Sequence, residues 1–470
     1  MGRFGLLLAG LGLLSGCGGA KQPEKPRVVV QDIPVQILVL DDPPLADSIR
    51  QTWAERGEGK IEVLDRSSQA VIDSPRRVLD ADVVVYPAPL LGTLVERKLI
   101  VPLDPHYRRD KNLAVQDLFP AVRLRVAVWD RELMGSSLGN PNFLLLYRPD
   151  VFAQFGLEAP QTWDQYAAVA EKLADRNALG DLAPSTEDEW LGACEPGGLW
   201  SAELLLARAA CYTQKNNDVS IWWEYRTMEP RLGREPFVRA LREMASDKVN
   251  RSLSSPAECY AALLTGRCAM AIAWPNGWGV KDLTLPDPKW PVRLAALPGA
   301  GEVFGDEGWA PIGEPQRVPL IGCEGRLMSV TREAQRRDMA AQRVVWLSGK
   351  EWGERVGLNS QATMPARVSS RLLSRWTGET LGEDGLRDLS DILSAEMDPQ
   401  DNLVTIRIPG RQRYLGALRQ ALESLTGKDG APSDEAIRAA VMEATRQWES
   451  ITDEIGRAAQ RSALGKSQAL

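Results

Sequence analysis

The stretch VQILVLDDPP (residues 35–44) decides the fold class. A near-continuous apolar run that ends in polar residues is typical of a buried parallel strand followed by a loop. Apolar residues spaced four apart over 45–53 then predict a helix, and short apolar runs at 61–64 and 81–86 predict two more strands. Strands that alternate with helices in this way indicate an α/β sheet with crossover helices.

The same reasoning extends along the chain. In PQTWDQ (residues 160–165), Thr162 and Gln165 have the spacing of a capping box at a helix start. Apolar residues spaced alternately four and three from 437 to 455 predict a long helix that is capped near Ser433. Segment 275–319 is dense in Pro, Gly and Trp, which predicts ordered loops. Further strands are predicted at 143–147, 268–273 and 327–330, and further helices at 199–210, 236–244 and 257–264.

Composition excludes several classes of function. The 56 Lys and Arg residues against 63 Asp and Glu give 56 − 63 = −7 over 470 residues, with no long basic block, so nucleic acid is an unsuitable partner. His106 is the single histidine, and we expect it in a loop. Catalysis by Ser/His/Asp or Cys/His, and most transition-metal sites, need a histidine in the right place. We therefore expect no metal site and no cofactor.

The N-terminus has the pattern of a targeting signal. Arg3 precedes an apolar run at 4–14 that is too short to span a bilayer. The run ends in LSGC (residues 14–17), which resembles a bacterial lipobox, whose cysteine receives diacylglycerol. We predict a signal peptide at 1–16 and a lipid-anchored tether at 17–30, with Cys17 carrying the lipid, palmitate included. The alternative is a secreted protein in which Cys17 stands there by chance.

Outside the cytoplasm disulfides persist, so the other five cysteines are candidates for pairing. Cys194 and Cys211 flank the predicted helix at 199–210 and are the favoured pair. Cys259 and Cys268 are the second choice. The remaining alternative is that the cysteines are buried free thiols.

A series of stretches resembles the extracellular solute-binding protein family 1, the sugar-binding lipoproteins of ABC importers that include maltose-binding protein. In chain order these stretches are DVVVY (82–86), LIVPLD (99–104), LYRPDVF (146–152), FGL (155–157), PQTWDQY (160–166), LTGRCAMAI (264–272), GRLMSV (325–330) and MPAR (364–367). Segment 187–234 has no clear counterpart in the family.

The resemblance implies a two-lobed fold of the type II periplasmic-binding-protein kind, with a hinge and a ligand cleft between the lobes. The chain is expected to cross between lobes near 137–142, near 322–325 and after Met364. The first lobe would comprise 31–138 plus 324–364, and the second lobe 139–323 plus 365–470.

The tryptophan content fits such a cleft. A sugar needs flat aromatic surface for its C–H faces and fixed hydrogen-bonding groups for its hydroxyls, and the chain has 15 Trp against 8 Tyr and 7 Phe. The resemblance and the strand ends together single out candidate ligand-binding residues, which are Trp278, Trp274, Tyr86, Asn140, Asn142, Trp309, Tyr414 and Asp42, with Asp41 beside it. Packing in a core or loop is the alternative for each. The pair Trp222 and Trp223 is either core or a specificity surface.

The resemblance implies a monomeric, non-enzymatic lipoprotein on the outer side of a membrane. It would capture a sugar or oligosaccharide and deliver it to the permease subunits of an ABC importer. The alternatives are a sensing or scaffold lipoprotein of the envelope and, less favoured, a glycoside hydrolase that uses Asp41 and Asp42. Adjacent strand residues point to opposite faces, which argues against such a carboxylate pair.

Overall fold

The computed structural model describes residues 33–56, 59–182, 190–214, 219–287, 289–370, 373–397, 402–426 and 431–468. The predicted signal peptide, Cys17 and nearly all of the tether lie outside these residues. From Pro34 onward the chain forms one compact unit. None of the helices within the described residues has the length and apolar character needed to cross a membrane.

Short strands and helices follow each other along the whole of this unit. The strands are β1 (Val35–Leu40), β2 (Ile61–Arg66), β3 (Val83–Pro87), β4 (Val128–Trp129), β5 (Glu132–Leu133), β6 (Ser136–Gly139), β7 (Leu144–Tyr147), β8 (Gly192–Cys194), β9 (Val249–Asn250), β10 (Cys268–Ala273), β11 (Arg293–Ala295), β12 (Ala300–Gly305), β13 (Gly308–Gln316), β14 (Leu320–Ile321), β15 (Arg326–Val330) and β16 (Leu403–Val404). The helices are α1 (Pro43–Arg56), α2 (Ser68–Asp73), α3 (Leu91–Glu96), α4 (Pro105–Arg108), α5 (Pro149–Gln154), α6 (Trp163–Leu173), α7 (Leu199–Tyr212), α8 (Glu235–Ser246), α9 (Pro256–Leu264), α10 (Arg337–Leu347), α11 (Gly353–Gly357), α12 (Leu373–Trp376), α13 (Glu383–Glu396), α14 (Arg411–Leu425), α15 (Asp434–Ile455) and α16 (Arg457–Ser467).

The first sheet has the strand order β2-β1-β3-β15-β6. Strands β1, β2 and β3 are parallel, and β15 runs antiparallel to both β3 and β6. All residues of β1 except Gln36 are buried, because helices cover both faces of the sheet. This sheet and the helices around it form the first lobe.

The second sheet has the order β11-β7-β10-β8-β9 and forms the centre of the second lobe. The central strand β10 is fully buried, parallel to β8 and antiparallel to β7. The chain passes between the sheets after β6 and again before β15. The predicted α/β class is thus confirmed. The residues at which the lobes divide stay a prediction, and α16, which the predicted boundaries assign to the second lobe, also packs against α3 and β4 of the first.

Segment 275–319 was expected to form loops, and this expectation is wrong. It contains β11 and the antiparallel hairpin of β12 and β13. Because the hairpin stands as a two-stranded sheet, the outer edge of each strand needs no partner, and Pro311 and Pro315 are tolerated in β13. Their presence removed the alternation that identifies a strand in sequence.

The disulfide predicted between Cys194 and Cys211 is not formed. Both are buried free thiols, as are the other cysteines that the structure describes. Helix α7 carries Cys211 about 18 Å along its axis from the helix end that follows Cys194. A disulfide needs Cα atoms within about 7 Å of each other. Trp222 and Trp223 are likewise buried, and Trp223 stacks on Trp448 with 4.6 Å between ring centroids.

Candidate ligand-binding cleft

A cavity of about 220 Å³ lies between the two lobes. The carboxyl ends of β1, β2 and β3 border it on one side and the first turns of α7 on the other, which is where open α/β sheets bind ligands. The chain segment before β15 and the start of α14 complete the wall. The lining residues are Asp41, Ser68, Pro87, Pro89, Leu90, Leu199, Trp200, Glu203, Cys323, Glu324, Arg411 and Gln412.

Helix α7 presents an aromatic ring to the cavity. Gly198 has a φ of 63° and lets the chain turn sharply from β8 into the helix. The half-buried ring of Trp200 then lies edge-on to Phe143 at 5.9 Å and to Trp274 at 5.6 Å. Because two neighbouring rings support it, the Trp200 ring is held in place where it meets the cavity.

A buried ion pair lies beside this ring. Glu203 is fully buried and accepts hydrogen bonds from Arg411 and from Thr405 Oγ1, the latter at 2.7 Å. Cys323 Sγ donates to the same carboxylate at 3.5 Å. Arg411 Nε is buried and has no hydrogen-bond acceptor among the described residues. This atom is therefore a free donor next to the cavity.

A second ionic group enters from the first lobe. Arg326 Nε donates to Asp42 Oδ2 at 3.0 Å, and Arg326 Nη1 donates to Glu324. Burial raises the pKa of Glu324 above its usual range, although Arg326 and Arg411 oppose this effect. Charges thus alternate in the order Asp42, Arg326, Glu324, Arg411 and Glu203 from one lobe to the other.

The two aspartates at the end of β1 have different positions. Asp41 is exposed at the cavity wall, and its Oδ1 accepts from the Ser68 N–H at 2.8 Å. Asp42 is buried in the ionic group and also accepts from Ser360 Oγ at 2.5 Å. The residue predicted to face ligand, Asp42, therefore lies beneath the wall, and its neighbour faces the cavity.

Three other predicted residues lie in or near the crossings between lobes. Tyr86 is fully buried, and its hydroxyl is 2.9 Å from Ser329 Oγ. Burial raises the Tyr86 pKa well above its usual range, so the hydroxyl stays protonated. Asn140 and Asn142 are buried at the first crossing, where Asn140 Nδ2 donates to Asn142 Oδ1 at 3.2 Å. These three side chains lie away from the cavity wall, because interior partners hold them.

The loop WPNGW (residues 274–278) packs against segment 360–378. Asn276 Nδ2 donates to the carbonyls of Ser360 and Thr363 at 2.9 and 2.7 Å. Trp278 is half-buried, with Lys281 Nζ 3.5 Å from its ring centroid. Neither Trp278 nor Trp274 lines the cavity, although Trp274 supports the ring of Trp200 that does.

Trp309 and Tyr414 are also placed differently from the prediction. Trp309 lies on the β12–β13 hairpin, 5.9 Å from Tyr212 at the far end of α7 and thus about 18 Å along that helix from Trp200. Tyr414 is fully buried between α14 and α15, and its hydroxyl is 2.9 Å from Thr452 Oγ1. It stands on the apolar face of α14, whereas the cavity meets only the first two residues of that helix.

The sequence arguments therefore missed the side chains that form most of the wall: Trp200, Glu203, Glu324, Arg411 and Gln412. The stretch GGLW (residues 197–200) carried a usable signal, because two glycines between a strand and a helix mark a strand end. Glu203 and Arg411 had none, since 208 residues separate them. No group of His, Cys, Asp or Glu within the described ranges could hold a metal ion.

Comparison with known proteins gives the family. A model described as bacterial extracellular solute-binding protein matches residues 73–370. No curated protein sequence is significantly similar to the chain.

Solved structures of similar fold include several sugar and polyol binders. The maltose-bound MalE3 of T. maritima is 12% identical, with a TM-score of 0.62 over 88% of this chain and 99% of that one. The sugar-binding MalE of Xanthomonas citri is 17% identical, with a TM-score of 0.62 over 90% and 98%. A solute-binding protein of Agrobacterium radiobacter in complex with ribitol is 18% identical, with a TM-score of 0.61 over 88% and 98%. At these identities the similarity establishes the two-lobed fold alone.

Proposed function

The chain belongs to the bacterial extracellular solute-binding proteins, and on that premise we propose that it is the ligand-binding lipoprotein of an ABC importer. It captures a sugar or polyol in the cavity between its lobes and delivers it to the permease subunits. The observation that carries this proposal is the pairing of the fixed Trp200 ring with polar groups on the opposite wall.

The cavity chemistry suits a neutral hydroxylated ligand. The Trp200 ring can cover an apolar C–H face, while Asp41, Gln412 and the free Nε of Arg411 can bind hydroxyls. Pockets for drug-sized ligands measure about 300–1,000 Å³. The smaller volume of about 220 Å³ here favours one sugar ring or an alditol. Asp42 and Glu203 are bound to arginines, so we propose binding without a catalytic step.

A thermal-shift panel of neutral hexoses, disaccharides and alditols tests the proposal, because a ligand stabilises the state that it binds. We expect a member of the panel to raise the melting temperature, and calorimetry then gives its affinity. Trp200→Ala should weaken that affinity by about tenfold or more, since stacking and buried area are both lost.

The matched control is Trp309→Ala, which removes a half-buried tryptophan of the same lobe far from the cavity. Its affinity should remain within about twofold of wild type. Equal affinity in wild type and Trp200→Ala, or a panel without any stabilising member, would count against the proposed site.

The anchoring of the protein follows from the N-terminal sequence. We propose that Cys17 carries a lipid and that the mature, monomeric protein is held on the outer side of a membrane. Mass spectrometry of the membrane-associated protein should find an acylated N-terminal Cys17. An intact Met1 or an unmodified Cys17 in that material would rule out the anchor and leave the ligand-binding proposal standing.

A further inference from the structure

The first lobe carries a second cavity that takes no part in the cleft. It measures about 470 Å³ and is bordered by α4, by the turns at 115–117 and 122–126, and by the β4–β5 hairpin. Four of its lining residues are arginines, namely Arg108, Arg109, Arg123 and Arg131, and no carboxylate is among the described residues that line it. We call these four residues and the apolar surface between them the arginine groove.

The charges in this groove are incompletely neutralised. Arg108 is paired with Glu132. The side chains of Arg109 and Arg123 make no hydrogen bond or ion pair with any part of the chain that the structure describes, and Nε of Arg123 is buried without an acceptor. A buried guanidinium N–H without an acceptor is unfavourable. A bound anion would supply the missing acceptor.

The backbone holds two of the arginines in unusual conformations. Arg123 stands in a turn of π-helix, in which the Ala127 N–H donates to the Val122 carbonyl at 2.9 Å. Such turns are rare and are frequent at functional sites. Arg131 has a φ of 63° and Asp130 a φ of 51° in the two-residue turn between β4 and β5. Turns of this kind favour glycine at the second position, so the Arg131 side chain is kept where its backbone is strained.

We propose that the arginine groove binds a phosphate group. Planar guanidinium groups match the oxygens of phosphate in paired hydrogen bonds, and several of them together suit a doubly charged anion. Leu124, which is 45% exposed, and Val128 give the groove an apolar side. The ligand is therefore a phosphate ester with an apolar part, either a lipid headgroup or a soluble phosphorylated compound.

Calorimetric titration of inorganic phosphate into the full chain tests the site directly. The chain carries Cys17→Ser so that no acyl group is attached. We expect saturable binding that weakens as salt is added. The double variant Arg109→Gln, Arg123→Gln should bind phosphate at least tenfold more weakly. Arg446→Gln is the control, because it removes an exposed arginine from α15 on the other lobe, and its affinity should stay within twofold of wild type.

Arg131→Gly separates a binding role from a structural one. Glycine adopts the positive φ of this turn without strain, so the melting temperature should not fall, whereas phosphate affinity should fall at least threefold. Circular dichroism establishes that each variant is folded. If the double variant does not fold, Arg109→Gln alone serves in its place, because Arg109 is an exposed side chain.

Vesicles distinguish the two sources of phosphate. Sedimentation with phosphatidylglycerol vesicles, compared with phosphatidylcholine vesicles, tests the lipid headgroup. Binding to the anionic vesicles that the double variant loses identifies a lipid ligand, and phosphate binding without vesicle binding identifies a soluble one. If wild type binds neither, or if the double variant and Arg446→Gln bind equally, the arginine groove is not a phosphate site. The cleft proposal is unaffected by either result.

Discussion

Glu203 is the acceptor that joins three parts of the chain at the cleft. Its carboxylate receives Arg411 from the start of α14, Thr405 from the segment before that helix, and Cys323 from the second crossing. The same helix α14 carries a second ion pair, between Arg413 and Glu454, in which both side chains are about half exposed or more. One helix thus presents a buried and an exposed Arg–Glu pair two residues apart.

We expect Glu203→Gln to lower the free energy of unfolding by about 2 to 3 kcal/mol, because it leaves Arg411 largely buried without its counter-charge. Urea denaturation measures the change. The control is Glu454→Gln, which removes the same charge from the exposed pair and should leave the denaturation midpoint unchanged within error, since water replaces the lost partner. Equal midpoints for the two variants would mean that the Glu203 pair contributes no more than a surface pair.

Elements whose signals are local were predictable from the sequence. Thr162 and Gln165 form the capping box at the start of α6 as expected, because both hydrogen bonds join residues within one turn. Helix α15 begins after Ser433, whose side chain accepts from the Ala436 N–H, and it ends at Ile455 as its apolar spacing predicted. Strand β10 has the predicted bounds because a fully buried strand is one continuous apolar run.

Elements that depend on distant partners were not predictable in the same way. The β12–β13 hairpin packs on α7, and its prolines concealed the strand pattern. At the site, the strand-end argument identified Asp41 and its neighbour, but it could not decide which of two adjacent side chains faces the cavity. The Glu203–Arg411 pair depends on tertiary packing across the second lobe, which no local pattern encodes. Tyr414 was misplaced because its position on the helix face, rather than its position in the chain, decides its burial.

At the scale of the whole molecule, the three crossings lie against one another. The Asn140 N–H donates to the Met364 carbonyl at 2.9 Å, which joins the first crossing to the third. At the second crossing Gly325 has a φ of 117°, and a Cβ atom there would lie 2.7 Å from the Gly139 carbonyl oxygen. Only glycine allows this approach. The crossings therefore form one narrow bundle between the lobes, as a hinge requires.

The C-terminal helix α16 is bonded to both lobes. Gln460 Nε2 donates to the Pro409 carbonyl at 2.8 Å on the side of α14, and Lys466 Nζ lies 3.0 Å from Glu96 of the first lobe. The Lys466 carbonyl also accepts from the Asp130 N–H at 2.9 Å. Relative motion of the lobes must therefore turn about α16 or break these bonds.

We predict that the lobes close on ligand about the crossings near 137–142 and 322–325. Small-angle scattering should find a smaller radius of gyration for wild type when a ligand identified by the thermal-shift panel is added at saturation. Trp200→Ala at the same ligand concentration should keep the radius of the free protein, because the ligand then occupies few of the molecules. If wild type did not contract under conditions where calorimetry records binding, the hinge assignment would be wrong, and the cavity would bind its ligand within a rigid frame set by the crossings and α16.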